Sequence, residues 1–571
     1  MSTRRLLLVA VTAIALAGIA LAQAPARYDV IIRSGRVVDG TGSPWYSGDV
    51  AVRDGRIAAI GVLCPLDGPD SACPAKQVIN ATGKAVAPGF IDMLGQSELT
   101  ILVDPRLPSK IYQGITTEIT GEGGSVAPLN DAIIQSDKAS YDHFHISPDW
   151  RTFSQYFARL EKQGIGINFA SYIGATQVRR MVLGDADVQP TAAQLDQMRM
   201  LVRQAMREGA VGVSTSLEYP PAPYAKTEEL IALAAEAAPF GGIYATHMRS
   251  EGDAIDASLD EVFRIGREAR IPVEIWHLKV AGAKNWGRMP HVVKRIDDAR
   301  LSGIDVAADT YAYPAWSNSF SAFIPPWVHD GGDAKLVERL KDPAIRARVR
   351  KEMETPSTGW DNEWDEIRDP SKIMVVGVIN PALRPLQGKT IADIAKLWNK
   401  DVFDTMFDLL IQDDAGTDVV VFGMREDDIL LAVLQPWVSF DNDSSGTSPE
   451  GLLGGDFPHP RAYGTFPRVI RKYVREQGRL WLEETVGKMS ALPAQRMRLT
   501  DRGVLKTGMW ADIVVFDPDK LTDKATFDNP NQLSVGMDWV LVNGVPVIAD
   551  GKMTGARPGK VLRGPGYAPA K

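Results

Sequence analysis

Two histidines stand directly after separate apolar runs of this 571-residue sequence. His247 closes the run GIYATH, and His277 closes the run PVEIWH. If the two runs are adjacent parallel strands, the imidazoles emerge side by side, as a shared metal ion requires. A lone histidine in such a place is more often a hydrogen-bonded core residue, whereas two at neighbouring strand ends favour a metal site.

A third ligand is expected from Glu122, which follows the apolar run ITTEIT. Gly121 and Gly123 flank it, and glycine lets the backbone bring a carboxylate close to other groups. One carboxylate and two imidazoles form a catalytic zinc set that leaves a position open for water. The alternative for Glu122 is a solvated loop residue.

The run PWVSF is followed by Asp441 and, two residues later, by Asp443. A carboxylate beside a metal-activated water can take its proton and later hand it to a leaving amine. We assign this role to Asp441 because it is nearer the apolar run. Helix capping is the alternative for either residue.

Fixed positive charge is expected near the same residues, from Lys279 in the motif HLK and from Arg461 in HPRAYG. A lysine and an arginine together suit a substrate carboxylate, which arginine grips with two parallel hydrogen bonds. A surface salt bridge is the alternative for each.

The elements that must position these residues are short apolar runs alternating with amphipathic segments. There are eight such runs: AVAPGFIDML, ITTEITG, INFASYIG, AVGVSTSL, GIYATHM, PVEIWHL, IDVAADTY and PWVSFDND. Eight strand–helix units predict an α/β fold with a TIM-like (β/α)8 barrel, in which the loops after the strands gather at one rim.

Both ends of the mature chain carry short runs rich in valine and isoleucine with glycine-rich turns, which predict a small β-sandwich built from both termini. The gap between the seventh and eighth barrel strands is too long for one crossover and predicts an inserted subdomain. The expected organisation is a signal peptide at 1–22, sandwich at 23–85, barrel at 86–500 with an insert at about 315–435, and sandwich again at 501–571.

The composition is that of a soluble globular protein, with 45% apolar residues, 23% charged residues and a formal charge of −8. Lysine and arginine are scattered rather than gathered in a basic stripe, so no nucleic-acid partner is expected. After the N-terminal segment, no apolar run approaches the roughly 20 residues that a membrane span needs.

The first residues have a basic start, an apolar stretch and an Ala20–Ala22 ending, which predict a signal peptide cut before Gln23. The protein is therefore expected to be exported, to the periplasm or beyond. Arg4–Arg5 leaves a twin-arginine signal open beside an ordinary one, and an uncleaved anchor is the other alternative. Cys64 and Cys73 either close a small loop by a disulfide or remain two free thiols.

With these residues placed, the chain resembles the N-acyl-D-amino-acid deacylases (D-aminoacylases) of the amidohydrolase superfamily. The resemblance spans nearly all of the mature chain and implies the barrel-and-sandwich fold with zinc as the metal. It places two metal ligands on His247 and His277 and the catalytic acid on Asp441. The motifs that carry it, in family order, are PGFID, SLEYPP, THMRSE, HLK, HPRAYGTFPRVI, DRGVLKTGMWADIVVFDP and VLVNG.

The resemblance also implies that Tyr219, Lys279 and Arg461 contact the substrate carboxylate. The chain departs from the pattern in two places. Glu122 stands where better-known members carry a cysteine, and the His-x-His of the first strand is Leu94-x-Gln96. Leu94 cannot coordinate and Gln96 does so only weakly, so Gln96 is assigned to the substrate side and one zinc ion is expected rather than two. Some N-acetylglucosamine-6-phosphate deacetylases of the superfamily are similar, with Glu, His and His holding one metal.

The expected function is hydrolysis of N-acyl-D-amino acids to a carboxylate and a free D-amino acid. The partner is then a small molecule with a free carboxylate, and the oligomeric state stays open. One alternative is a related amidohydrolase acting on D-residue dipeptides or cyclic amides. Another is an exported binding protein that has lost catalysis.

Overall fold

A computed structural model of the protein describes residues 27–65, 67–357 and 359–568. The predicted signal peptide at 1–22 lies outside the described residues. Within the described ranges, no helix combines the length and the apolar character needed to cross a membrane.

The strands of the described chain are numbered in order. They are β1 (Tyr28–Val37), β2 (Tyr46–Arg53), β3 (Arg56–Gly61), β4 (Ala75–Asn80), β5 (Ala85–Pro88), β6 (Phe90–Asp92), β7 (Ile115–Thr120), β8 (Asn168–Ser171), β9 (Ile173–Gly174), β10 (Gly212–Ser216), β11 (Ile243–His247), β12 (Val273–Ile275), β13 (Val306–Thr310), β14 (Trp316–Ser319), β15 (Ile373–Gly377), β16 (Asp418–Val421), β17 (Val438–Phe440), β18 (Ile513–Phe516), β19 (Met537–Val542), β20 (Val545–Ala549) and β21 (Lys552–Met553).

The α-helices are numbered in the same way. They are α1 (Thr100–Val103), α2 (Pro108–Ile111), α3 (Asp131–Ser136), α4 (Lys138–His143), α5 (Phe153–Gln163), α6 (Ala175–Leu183), α7 (Ala192–Glu208), α8 (Thr227–Ala237), α9 (Ile255–Ala269), α10 (Met289–Leu301), α11 (Asp333–Leu340), α12 (Pro343–Met353), α13 (Glu363–Ile367), α14 (Ile391–Trp398), α15 (Val402–Gln412), α16 (Glu426–Val433), α17 (Arg461–Val469), α18 (Leu482–Met489) and α19 (Ala491–Arg496).

Eight parallel strands form the barrel. The order is β6, β7, β8, then β9 to β13, then β17. β8 and β9 are one strand interrupted at Tyr172, whose backbone N–H still donates to Thr120 O at 2.8 Å. The last strand returns to the first where the N–H of Asp443 donates to Leu94 O at 2.9 Å. The predicted TIM-like barrel is confirmed, and the eight predicted runs are its strands.

The crossover helices follow from local sequence signals, and α7 is an example. Thr191 caps the N–H of Gln194, and the Gln194 side chain caps Thr191 in return, which is the reciprocal arrangement that starts a helix. Gly209 ends the helix with φ 112°, a conformation that favours glycine. Met198 and Val202 lie on the buried face, at the spacing that faces the barrel.

Strands from both ends of the chain lie in one nine-stranded sheet, in the order β21-β20-β19-β18-β5-β1-β2-β3 with β4 beside β1. The two ends join where β18 runs antiparallel to β5, with Ile513 opposite Pro88. The alternating valines and isoleucines of these strands form a separate apolar cluster. The sandwich predicted from both termini is therefore present beside the barrel.

A disulfide joins Cys64 and Cys73 in this sandwich, across a sequence separation of 9 residues. Both cysteines are buried against Tyr28, Ile31 and Ala51. Of the two readings that the sequence left open, the structure has the disulfide rather than two free thiols.

The insert between β13 and β17 contains a three-stranded antiparallel sheet, in the order β14-β16-β15, and the helices α11 to α16. It is tied to the barrel rim by Asp361, whose carboxylate accepts hydrogen bonds from Ser250 Oγ at 2.8 Å and from the N–H of Glu251 at 3.0 Å. Ser250 and Glu251 belong to the loop after β11. The insert therefore covers the end of the barrel at which the strand-end residues emerge.

Candidate metal centre and active site

Glu122, His247 and His277 follow or end three different barrel strands. Glu122 comes after β7, His247 is the last residue of β11, and His277 comes two residues after β12. Gly121 and Gly123 on either side of Glu122 have φ of 101° and 64°. A Cβ on Gly123 would lie 2.5 Å from Ser216 Cβ, so only glycine allows this close approach of two strand ends.

The three side chains meet at one point. Glu122 Oε1 lies 3.2 Å from His247 Nδ1 and 3.6 Å from His277 Nε2. The three candidate ligand atoms all lie within 4.8 Å of one another. A tetrahedral zinc ion with bonds of about 2.0–2.1 Å separates its ligand atoms by roughly 3.4 Å. The donor set and its spacing therefore fit a zinc ion.

The other nitrogen of each imidazole is held by polar neighbours. His247 Nε2 lies 2.8 Å from Glu218 Oε2. His277 Nδ1 lies 2.7 Å from Lys279 Nζ and 3.0 Å from Glu251 Oε1. Such outer contacts fix ring orientation and tautomer, so each histidine presents its remaining nitrogen to the metal position.

The electrostatics of the three residues favour a cation. Burial raises the pKa of Glu122, but hydrogen bonds with His247 and His277 outweigh burial and hold the pKa well below its usual value. Burial lowers the pKa of His247, but the charges of Glu251, Glu122 and Glu218 outweigh it and raise this pKa well above its usual value. The excess of carboxylate charge that favours a protonated imidazole also favours a divalent ion between the three side chains.

The departures at the first strand have clear structural consequences. Leu94 is fully buried in an apolar cluster with Ile119 and Trp276. The Gln96 amide nitrogen donates to Glu122 Oε2 at 2.7 Å and to Asp443 Oδ1 at 3.1 Å. Gln96 thus holds the Glu122 oxygen that does not point between the two histidines.

Asp441 is fully buried directly after β17, and no backbone N–H, hydroxyl, amide or basic side chain of the described residues donates to its carboxylate oxygens. Its neighbour is Asp309, at the end of β13, whose Oδ1 accepts the backbone N–H of His277 at 2.5 Å. Burial and the charge of Asp441 raise the pKa of Asp309 well above its usual value. Burial raises the pKa of Asp441 too, although a hydrogen bond from Asp309 opposes the rise. The charge of Asp441 therefore favours the protonated form of Asp309.

The predicted substrate-binding cations are buried and already face carboxylates. Arg461 Nη1 lies 2.8 Å from Asp443 Oδ2, while its Nε has no hydrogen-bond partner among the described residues. Lys279 Nζ donates to Glu251 Oε2 at 2.5 Å.

Tyr219 packs its ring against His247, with 5.0 Å between centroids. Of the predicted residues, Tyr219, His247 and Lys279 line one cavity. Glu122 and His277 contact His247, and Gln96 contacts Glu122. Asp441 does not line the cavity; it neighbours Asp309, which accepts the backbone N–H of His277. Arg461 contacts Asp443, which does line the cavity.

Several residues of the site were not predicted from the sequence. Glu251 is four residues after His247 in THMRSE, and Glu218 precedes Tyr219 in SLEYPP, so their motifs carried a signal. Asp309 stands inside a predicted strand with nothing to set it apart. The insert contributes three acidic residues to the cavity, and their positions in the sequence give no signal of this. They are Asp361, Glu363 and Glu366.

A parallel barrel that gathers one carboxylate and two imidazoles beyond its strand ends defines a metal-dependent amidohydrolase. Comparison with known proteins agrees, since the model of the Amidohydrolase family matches residues 452–548. Among relatives from Alcaligenes xylosoxydans xylosoxydans, the N-acyl-D-glutamate deacylase is 34% identical over 540 residues, which cover 94% of this chain and 97% of the relative. The D-aminoacylase is 34% identical over 538 residues, covering 94% and 97%.

Solved structures give the same result. The N-acyl-D-glutamate deacylase of Bordetella bronchiseptica, complexed with zinc and a phosphonate inhibitor, matches with a TM-score of 0.77 and 35% identity, covering 94% of this chain and 99% of that one. A D-aminoacylase with a binuclear metal centre, described by one-metal activation and second-metal attenuation, matches with a TM-score of 0.77 and 32% identity, covering 94% and 100%. The chain belongs to the N-acyl-D-amino-acid deacylase (D-aminoacylase) family, as its motifs indicated, and is a hydrolase of linear amides.

Proposed function

We propose that this protein hydrolyses the amide bond of N-acyl-D-amino acids, releasing a carboxylate and a free D-amino acid. The observation that carries the proposal is the meeting of Glu122, His247 and His277 from three strand ends, next to a cavity that also contains Lys279. The relatives named as D-aminoacylase and N-acyl-D-glutamate deacylase support the choice of substrate class.

Glu122 Oε1, His247 Nδ1 and His277 Nε2 are the atoms that would hold zinc. When bound, zinc polarises the scissile carbonyl and lowers the pKa of water to about 7. One ion is proposed, because Leu94 offers no ligand atom and Gln96 already donates its amide to Glu122 and Asp443. Asp441 is then left free for proton transfer.

Asp441 is proposed to move the proton in the reaction. Asp309, whose pKa is raised well above its usual value, favours its protonated form and leaves Asp441 as the member of the pair that accepts a proton. Asp441 takes a proton from the attacking water and returns it to the nitrogen of the departing D-amino acid. The backbone N–H of His277 donates to Asp309, so the position of the acidic pair is tied to that of His277, the proposed metal ligand.

Arg461, Lys279 and Tyr219 are proposed to hold the substrate carboxylate. Arg461 Nε has no hydrogen-bond partner among the described residues, and Nη2, which carries the donor parallel to it, contacts only Ser317 O at 3.2 Å, so this pair is proposed to grip the carboxylate. Arg461 lies above the ring of Tyr311, 4.6 Å from the centroid, which fixes the plane of the guanidinium.

The test uses the purified protein with stoichiometric metal analysis and a panel of N-acetyl-D- and N-acetyl-L-amino acids, D-residue dipeptides and hydantoins. The expected result is about one zinc per chain and release of free D-amino acids from the acylated form. Release from dipeptides or hydantoins alone would favour a related amidohydrolase. A protein that hydrolyses nothing after zinc is supplied would instead be a binding protein.

Export of the protein is proposed as well. The basic and apolar N-terminal residues support it, and so does the disulfide between Cys64 and Cys73, because disulfides persist in oxidising compartments. Fractionation of a bacterial host followed by N-terminal sequencing checks this, with Gln23 expected as the first residue of the exported protein. An intact N-terminus in the cytoplasmic fraction contradicts it.

A further inference from the structure

The cavity beside the metal centre has an acidic wall made by two separate parts of the chain. The loops after β10 and β11 supply Glu218 and Glu251, and the insert supplies Asp361, Glu363 and Glu366. Tyr219, His247 and Lys279 line the same cavity, so the acidic wall is continuous with the proposed catalytic site.

Most of this negative charge is not balanced by the protein. Glu251 pairs with Lys279, and Glu218 pairs with the imidazole of His247. In the part of the chain that the structure describes, neither lysine nor arginine pairs with Asp361, Glu363 or Glu366. Asp361 accepts only neutral donors from the loop after β11, and Glu363 accepts the indole N–H of Trp316 at 3.0 Å and the amide of Asn318 at 2.5 Å.

Glu366 is the member of the wall that has no partner at all among the described residues. It is only 5% exposed, and its Oε1 is buried without a hydrogen bond. Its carboxylate lies against the backbone of Gly252, where an added Cβ would be 1.4 Å from Oε1. The absence of a side chain at position 252 therefore makes room for a buried carboxylate that no described residue satisfies.

Burying an unpaired carboxylate beside others is unfavourable, because it loses its hydration and is repelled by the like charges around it. Accordingly, burial raises the pKa of Glu366 well above its usual value, and Asp361, Glu218 and Glu363 add to the rise. Burial and the charge of Glu218 raise the pKa of Asp361 to about 7. A bound cation would favour the ionised form of these carboxyl groups and relieve the repulsion between them.

We propose that the acidic wall binds a cationic group of the substrate. This inference rests on the proposed function and names the substrate class within it. The cation has two possible sources: the ammonium or guanidinium of a D-lysine or D-arginine side chain, or the α-ammonium of an aminoacyl group on the nitrogen of the D-residue. Lys279, which is proposed for the α-carboxylate, is the only lysine or arginine among the described residues that line this cavity, so a second carboxylate has no cationic partner here. Acidic D-residues are therefore expected to be poor substrates, in contrast to what is named for the D-glutamate and D-aspartate deacylases among the relatives.

The experiment compares matched substrates that differ only in charge. N-acetyl-D-lysine is set against N-acetyl-D-norleucine and N-acetyl-D-glutamate, and glycyl-D-alanine against N-acetyl-D-alanine. A hydrogen bond with a charged partner changes affinity by about ten- to a hundredfold, so the cationic member of one pair is expected to have kcat/KM at least about tenfold higher. The first pair reports a side-chain cation, and the second an aminoacyl cation.

Two variants on α13 locate the effect. Glu366→Gln is expected to reduce the cation-to-neutral ratio of kcat/KM by about tenfold. Asp365→Asn is the matched control, because Asp365 is the adjacent carboxylate on the same helix but pairs with Lys284 and Arg368 and does not line the cavity. The cation-to-neutral ratio of kcat/KM for Asp365→Asn should equal that of the unmodified protein. Thermal unfolding of both variants checks that they fold, and the substrate ratios of the unmodified protein need neither variant.

The outcomes separate this inference from the proposed function. Turnover of N-acetyl-D-norleucine without preference for a cation in either pair upholds the function and overturns the acidic-wall assignment. If no acylated D-amino acid is hydrolysed, the proposed function fails. Isothermal titration calorimetry with free D-lysine and D-norleucine then decides the assignment, which requires D-lysine to bind more tightly.

Discussion

Gln96 donates its side-chain amide to Glu122 Oε2 at 2.7 Å, on the side of the carboxylate away from the oxygen that faces both histidines. A residue that stands where the family has a metal-binding histidine therefore orients Glu122, a proposed ligand of the remaining metal position. Supporting hydrogen bonds of this kind strongly affect metal affinity.

Replacing Gln96 by alanine should therefore weaken zinc binding by roughly 10- to 100-fold. The measurement is a competition titration with a chromophoric chelator. Gln163→Ala is the matched control, since its amide donates to a backbone carbonyl, Ile101 O, rather than to a candidate ligand. Equal zinc affinity in both variants would mean that Gln96 does not position Glu122.

The role of Asp441 predicts a loss of activity without a loss of metal. Asparagine at this position keeps the shape of the side chain but cannot take a proton, so kcat should fall by roughly 10²- to 10⁴-fold. Metal content per chain, measured on the same preparation, should stay that of the unmodified enzyme. If zinc is lost together with activity, Asp441 is a metal ligand rather than the base.

The barrel and the core of the site could be predicted because their signals are local. Strands buried on both faces read as continuous apolar runs, and the polar residues that follow them must meet at one rim. His247, His277 and Glu122 were accordingly predicted from their positions alone, and the structure brings their side chains together. Tyr219 was predicted only through the family resemblance, since its sequence context indicates packing.

The acidic wall could not be predicted, because it depends on how the insert folds back over the barrel. The contacts that fix this placement, such as Ser250 to Asp361, join residues 111 positions apart. Nothing in the local sequence encodes such pairings. The same reason explains why the pairing of Lys279 with Glu251 was missed.

Arg461→Lys tests the carboxylate grip. Lysine keeps the charge but loses the planar fork and its parallel donors, so KM should rise about tenfold or more, with a smaller effect on kcat. Arg468→Lys is a suitable control, because Arg468 lies on the same helix and bonds to Ala312 O and Asp523. A fall in kcat at constant KM would place Arg461 in the chemistry rather than in binding.

The disulfide predicts a redox-dependent stability. Its loop is short, so replacing Cys64 and Cys73 together by alanine should lower the free energy of unfolding by roughly 2–3 kcal/mol. Urea unfolding with and without a reducing agent measures this. Reductant should destabilise the unmodified protein and leave the double variant unchanged, and an effect of reductant on both would point to another cause.

Glu366 predicts how stability depends on pH. In the folded protein the pKa of Glu366 is well above its usual value, whereas in the unfolded chain it is about 4.3. Between these two pKa values the folded state keeps the carboxyl proton that the unfolded chain has lost. The folded state then binds more protons, so stability falls as pH rises from about 4 towards the folded pKa, by up to about 1.4 kcal/mol per pH unit. Glutamine resembles the protonated acid and removes this slope. The stability gained by Glu366→Gln should therefore grow between pH 5 and pH 8 in urea unfolding.

Asp365→Asn gives the opposite sign in the same experiment. Burial raises the pKa of Asp365, but hydrogen bonds from Lys284 and Arg368 outweigh it and lower the pKa. This carboxylate therefore stabilises the fold above its unfolded pKa, and the stability is lost only as pH falls through its lower folded pKa. The variant should be destabilised by a constant amount from pH 5 to pH 8. If the stability gained by Glu366→Gln is equally constant with pH, the pKa of Glu366 is not raised in the folded protein. The stability difference between variant and unmodified protein varies with pH only when the folded and unfolded states bind the proton differently.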